Sequence, residues 1–164
     1  MLSFLGQVFA PKFGASVQLQ QLVMKQPVSH QVLFSSVASL LGSPGQANYA
    51  AANAALDGLA THLSSAGLPT VSIQWGAWSG GGMAAADSQT AARVERMGMS
   101  LITPAAGLAA LEGVLGQLNR CNNLGGKNLS QETKHGRESV TVLMSTGKGS
   151  CALHCIPLHC ILQG

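Results

Sequence analysis

Three side chains in the first third of the sequence have the types and spacing to do chemistry on a carbonyl group. Tyr49 and Asn53 stand four residues apart in a long Ala- and Leu-rich run, so on a helix they share one face. Ser36 closes the short apolar run Gln31–Ser36 (QVLFSS), thirteen residues before Tyr49. If that run is a strand, Ser36 lies at its carboxyl end, where open α/β sheets bind ligands. A serine hydroxyl there can donate a hydrogen bond to a carbonyl oxygen. A phenol, with a pKa of about 10, can protonate an alkoxide as it forms. Taken singly, each has a plain alternative: a turn-forming serine, a core tyrosine and an ordinary helical asparagine.

The elements that must position these residues follow from apolar spacing and from Gly and Pro punctuation. Residues from about 2 to 25 read as helix, with Leu5, Val8, Phe9, Leu19, Leu22 and Val23 at three- and four-residue spacings. Pro11 either kinks that helix or starts it near residue 12. QPVSH is a turn, QVLFSS a strand and LGSPG a loop. Gln46 to Ala66 reads as a helix stopped by Gly67 and Pro69, and Thr70–Trp75 (TVSIQW) as a second strand. Gly76–Met83 (GAWSGGGM) holds four glycines in eight residues and reads as loop. Thr103 and Pro104 open a last helix, expected to end near Leu118. Two short strands separated by a long helix predict parallel pairing and an α/β fold, the second half of a doubly wound sheet.

A serine ending a strand with a tyrosine thirteen residues on, opening the next helix, resembles the short-chain dehydrogenase/reductase pattern. Most of that superfamily places Lys four after the Tyr, where this sequence has Asn53. The ketoreductase domains of modular polyketide synthases, and of the related animal-type fatty acid synthases, place Asn there. They take the lysine from the preceding helix, twenty-four residues before the serine, which here is Lys12 in VFAPKFGA. The words VLFSSVASLLGSPGQANYAAANAALDGLA and VSIQWGAWSGGGMA also resemble that family almost letter for letter, and the likeness covers about residues 5 to 120.

The resemblance implies reduction of a β-ketoacyl thioester, tethered to an acyl carrier protein, by NADPH. Tyr49 would be the proton donor, Lys12 the charge that eases its ionisation, and Ser36 the donor to the substrate carbonyl. Asn53 would hold a water or a backbone carbonyl in the proton relay. Lys12 and Tyr49 would also hold the ribose of the cofactor, and the backbone at Gly76 and Ala77 its carboxamide. Other synthase domains, or the remaining half of the ketoreductase, are the expected protein partners.

No glycine-rich phosphate loop follows a strand in the sequence, so the expectation is a partial Rossmann-like sheet lacking its amino-terminal nucleotide-binding half. Such a chain is expected to be inactive alone, and the alternative is an inactive fragment or pseudo-domain with a structural or interaction role. Its 164 residues suffice for one ordinary domain. Charged residues are only 9%, against roughly 25% in typical soluble domains, as in a domain that packs against neighbours. A net charge of +3 is too small and scattered for nucleic-acid binding, and no run of 18 apolar residues suggests a membrane span. With no convincing signal peptide, a cytoplasmic location is expected.

All seven aromatic residues precede residue 79 and all four cysteines follow residue 120. That asymmetry predicts a boundary near residue 120, with 1–120 the carboxyl-terminal half of a ketoreductase domain and 121–164 an irregular, disordered tail of unrelated origin. Val140–Met144 could form a strand but has no evident partner. The tail crowds Cys151, His154, Cys155, His159 and Cys160, yet lacks paired CxxC knuckles, so no metal site is expected.

Overall fold

A proline without an N–H decides the first element of the computed structural model, which describes residues 2–80, 88–96, 98–124, 139–147 and 150–157. Helix α1 (Leu2–Phe9) runs into a π-helical turn (Ala10–Gly14) and then into α2 (Ala15–Val23). Pro11 removes one rung of the ladder, and the Ala15 N–H reaches back five residues to the Ala10 carbonyl. The kink or fresh start expected at Pro11 is therefore a widened turn joining two helices.

The chain divides into two compact units, the first running through Gln74 and the second starting at Trp75. In the first, β1 (Gln31–Ser36) and β2 (Thr70–Trp75) are neighbours, with the bounds expected from the sequence. Their first residues meet: Gln31 N–H donates to Pro69 O at 2.7 Å, and Thr70 Oγ1 lies 3.3 Å from Gln31 Oε1. Both strands thus start at the same end of the sheet and run parallel. Every position of β2 is buried, the mark of a strand covered on both faces.

The crossover between them is α3 (Ala38–Leu41) followed by α4 (Ala47–Ser65). Helix α4 buries Ala52, Asn53, Leu56, Ala60 and Leu63, a three- and four-residue spacing that makes one inward face. Leu56 and Ala60 pack on Leu33 of β1, with Leu59 against the cluster. Gly67 ends the helix with φ +85°, which L side chains rarely adopt. Leu68 N–H bonds to Leu63 O at 3.0 Å and Gly67 N–H to Ser64 O at 2.9 Å, the Schellman arrangement. The turn then delivers Pro69 to the start of β2.

The second unit holds α5 (Ser88–Arg96), β3 (Met99–Ser100), α6 (Pro104–Leu124), β5 (Ser150–Pro157) and, from Thr141 onward, β4 (Ser139–Gly147). Thr103 caps α6, its Oγ1 accepting from Ala106 N–H at 3.3 Å, and Pro104 takes the first helical position. The helix runs to Leu124, beyond the expected end near Leu118. Val140–Met144, expected to lack a partner, lies within β4, which pairs antiparallel with β3 through Met99–Ser145 and Ser100–Met144. The run SVTVLMSTG is rich in β-branched residues, and the two-residue strand β3 supplies an edge that the apolar pattern did not announce. Strand β5 pairs with β4. Side chains of the tail cluster from Cys151 to Cys160 lie outside the described residues, as do the last three positions of the Gly76–Met83 loop.

Trp78 meets Trp75 edge to face, with ring centroids 5.0 Å apart. Its indole also lies flat against α6 at Gly107, where an added Cβ would collide with Cη2, Cζ2 and Cζ3 of the ring. Gly113, nearly two turns on, faces open space. Gly107→Ala is therefore expected to lower the unfolding free energy by about 1–3 kcal/mol. Gly113→Ala is expected to raise it by roughly 0.5–1 kcal/mol through helix propensity alone. Urea denaturation of the two variants checks the pair, and equal effects would show that Trp78 does not need the glycine.

Candidate active site

Tyr49 enters the site from the first turn of α4, whose amide donors need partners. Asn48 Oδ1 accepts from Tyr49 N–H at 2.9 Å and supplies one. One helical turn later Asn53, fully buried, donates from Nδ2 to the Tyr49 carbonyl at 2.8 Å. Its Oδ1 has no hydrogen-bond partner among the described residues. The sequence expectation that Tyr49 and Asn53 share a face is met by this bond.

Lys12 arrives from the π-helical turn, which packs against α4 together with α1. Its Nζ stands over the Tyr49 ring, 5.3 Å from the centroid, and donates to the Phe34 carbonyl at 3.4 Å. A cation at that distance from an aromatic face is worth about 0.5–1 kcal/mol at a partly exposed site. Turns of the π type are rare and concentrate where a side chain must be re-aimed. Here the widened turn carries the lysine that meets the tyrosine.

Ser36 closes β1, half-buried, as expected. Its Oγ accepts from Ala38 N–H at 3.2 Å, so one lone pair is engaged while the hydroxyl proton is still available to a ligand. Its carbonyl accepts from Ser39 Oγ at 2.8 Å. Lys12, Ser36, Tyr49 and Asn53 thus all belong to the first unit. Gly76 and Ala77 belong to the second, where Ala77 O accepts from Ile102 N–H at 2.7 Å and Trp78 bridges to Ile102 in parallel.

One cluster escaped the sequence reading. Asp57, on α4 one turn past Asn53, accepts from Ser39 Oγ at 2.7 Å, Ser72 Oγ at 2.6 Å and Gln74 Nε2 at 2.8 Å. Gln74 Nε2 also reaches Ser39 Oγ at 3.1 Å. Ser72 and Gln74 are almost wholly buried in β2. Two signals could have revealed the cluster. Asp57 is the single acidic residue before Asp87, and Thr70, Ser72 and Gln74 place polar groups at every second position of an otherwise apolar strand.

Comparison with known proteins points to one family. The family model described as "KR domain" matches residues 3–80. The spectinabilin polyketide synthase system protein NorB of Streptomyces orinoci is 47% identical over 113 residues, covering 68% of this chain and 5% of its own length. A phenolphthiocerol synthesis polyketide synthase type I of Mycobacterium marinum is 43% identical over 110 residues, 66% of this chain and 5% of its own. The solved structure of A-type ketoreductases from a modular polyketide synthase superposes with a TM-score of 0.72 at 32% identity, covering 88% of this chain and 26% of that one. The chain therefore spans about a twentieth of these curated relatives and about a quarter of the solved ketoreductase. The spacing of serine, tyrosine and asparagine, the parallel strands that present it and these likenesses have one common source: the chain belongs to the KR domain family, the ketoreductase domains of modular polyketide synthases within the short-chain dehydrogenase/reductase superfamily.

Proposed function

We propose that this chain carries the proton-donating part of an NADPH-dependent reductase for β-ketoacyl thioesters presented on an acyl carrier protein. The observation that supports it most is the Lys12 ammonium over the ring of Tyr49. Reduction of a ketone turns a neutral carbonyl oxygen into an alkoxide, and the site must hold that oxygen and protonate it. Ser36 holds it with its free hydroxyl proton, since its Oγ lone pair is already taken by Ala38 N–H. Tyr49 gives up the phenol proton as the alkoxide develops, with the Lys12 ammonium held over its ring. Asn53 anchors the Tyr49 turn through Nδ2 and offers Oδ1 as acceptor to a water that returns a proton.

The nicotinamide cofactor would supply hydride when bound. The donor set suits its ribose: an ammonium carries three N–H groups, and Lys12 spends one on Phe34 O at the long distance of 3.4 Å. Lys12 and Tyr49 would bind the ribose hydroxyls. Neighbouring synthase domains are the expected partners, with no part for nucleic acid or membrane. Among the described residues no helix is long and apolar enough to cross a bilayer.

In a complete ketoreductase domain carrying this segment, Tyr49→Phe is expected to lower turnover of a β-ketoacyl thioester by about 10²–10⁴-fold while NADPH binding, followed by fluorescence titration, is largely retained. Near-normal turnover would remove Tyr49 from the acid role. A complete wild-type domain that neither binds NADPH nor turns over would leave the purely structural role instead.

Asn53→Leu separates function from stability. The swap is close to isosteric and removes both a buried donor and an unpartnered acceptor. Its unfolding free energy is expected to stay level or rise by about 1 kcal/mol, with reduction impaired. A large loss of stability on denaturation would mean that Asn53 serves the fold first.

A further inference from the structure

We propose that Asp57 is a positioning residue for ketone reduction: through Ser39 its carboxylate holds the turn bearing Ser36 in register with the helix bearing Tyr49. The proposal deepens the reductase reading and rests on it for its kinetic consequence.

Three elements meet at this carboxylate. Ser39 comes from α3, directly after the Ser36 turn, while Ser72 and Gln74 come from β2 and Asp57 from α4. The single Ser39 hydroxyl proton lies between two acceptors, Asp57 Oδ2 at 2.7 Å and Ser36 O at 2.8 Å. A three-centre bond of this kind ties the backbone of Ser36 to a side chain of α4. Gln74 Nε2 closes the ring by donating both to Asp57 Oδ2 and to Ser39 Oγ, at 2.8 and 3.1 Å. Ser72 fixes the other oxygen, Oδ1, at 2.6 Å.

All these partners are neutral donors, so the centre requires a group that only accepts. An asparagine would turn an N–H pair toward donors already in place. Asp57 follows Tyr49 by two helical turns and Asn53 by one, so whatever fixes the rotation of α4 at Asp57 also fixes it at Tyr49. On the far side, the same carboxylate reaches Ser36 through one hydroxyl. The substrate oxygen must be met by the Ser36 hydroxyl and the Tyr49 phenol together, and misplacement of about 1 Å can cost on the order of 10²-fold in rate.

Three variants and one spectroscopic reporter test this. In a complete ketoreductase domain carrying this segment, Asp57→Asn and Ser39→Ala are expected to lower kcat by roughly 10- to 100-fold, with KM for NADPH and for a β-ketoacyl thioester within about twofold of wild type. Combining them should cost little more than the worse single variant, because both act through one connection. Val71→Ala, a core change on the face of β2 opposite Ser72 and Gln74, should lower stability and leave kcat alone. Tyr49 is the only tyrosine of the chain, so ring-labelled tyrosine gives one assignable NMR resonance. That resonance should shift or broaden in Asp57→Asn and Ser39→Ala but hold in Val71→Ala.

Unchanged kcat and an unchanged Tyr49 resonance in a folded Asp57→Asn or Ser39→Ala protein would overturn the proposal. So would an equal kcat loss in Val71→Ala. If Asp57→Asn fails to fold, Ser39→Ala, which leaves Ser72 and Gln74 on the carboxylate, decides the matter. A complete wild-type domain without reductase turnover would defeat the reductase reading alone, and the Tyr49 resonance of this chain would then decide the positioning claim.

Discussion

A helix shows the same face again every third or fourth residue, and α4 uses that return to do two jobs with one surface. Leu56 and Ala60 close the core over Leu33 of β1, while Tyr49, Asn53 and Asp57, spaced by four, carry the polar work. The apolar positions hold the helix against the sheet, and the polar ones fix its rotation about its own axis. Without the first the site would have no floor. Without the second, Tyr49 could turn away while the core stayed nearly as well packed. Hydrophobic burial is non-directional, whereas the bonds from Ser35 Oγ to the Asn53 carbonyl and from three donors to Asp57 tie α4 to other elements with defined geometry.

The lysine shows the same division of labour between chain geometry and side-chain chemistry. An ammonium on a regular helix points where helical periodicity sends it. Pro11 breaks that periodicity by withdrawing one N–H, and the resulting π turn presents Lys12 to the Tyr49 ring and the Phe34 carbonyl. Its charge thereby sits against the electron-rich face of the tyrosine ring. Two adjacent residues, an imino acid and a cation, become a single device.

Much of this was legible in the sequence because it depends on local rules. The bounds of β1 and β2 followed from apolar runs between turn residues. The end of α4 followed from Gly67, which the structure shows at positive φ in a Schellman turn. The pairing of Tyr49 with Asn53 followed from helical spacing, and Lys12 from likeness to a family. What stayed hidden was non-local. The Asp57 network joins residues as far apart as Ser39 and Gln74, and no window of sequence contains it. The partner of β4 is a two-residue strand too short to carry a period. The π turn was half visible, since Pro11 announced a disturbance without saying whether the helix would kink, restart or widen.

A π turn is an α-helix holding one residue more than its pitch accommodates. Loss of a single residue between Ala10 and Gly14 would let the ladder close as ordinary α-helix with the helices on either side facing almost as before, because the wide turn sweeps about the same angle as an α-helical stretch one residue shorter. For this segment, losing a residue is thus a local narrowing more than a rotation. Aligned homologues shorter by one residue here would keep the same side of α1 toward α4 and differ in how the turn itself aims its lysine.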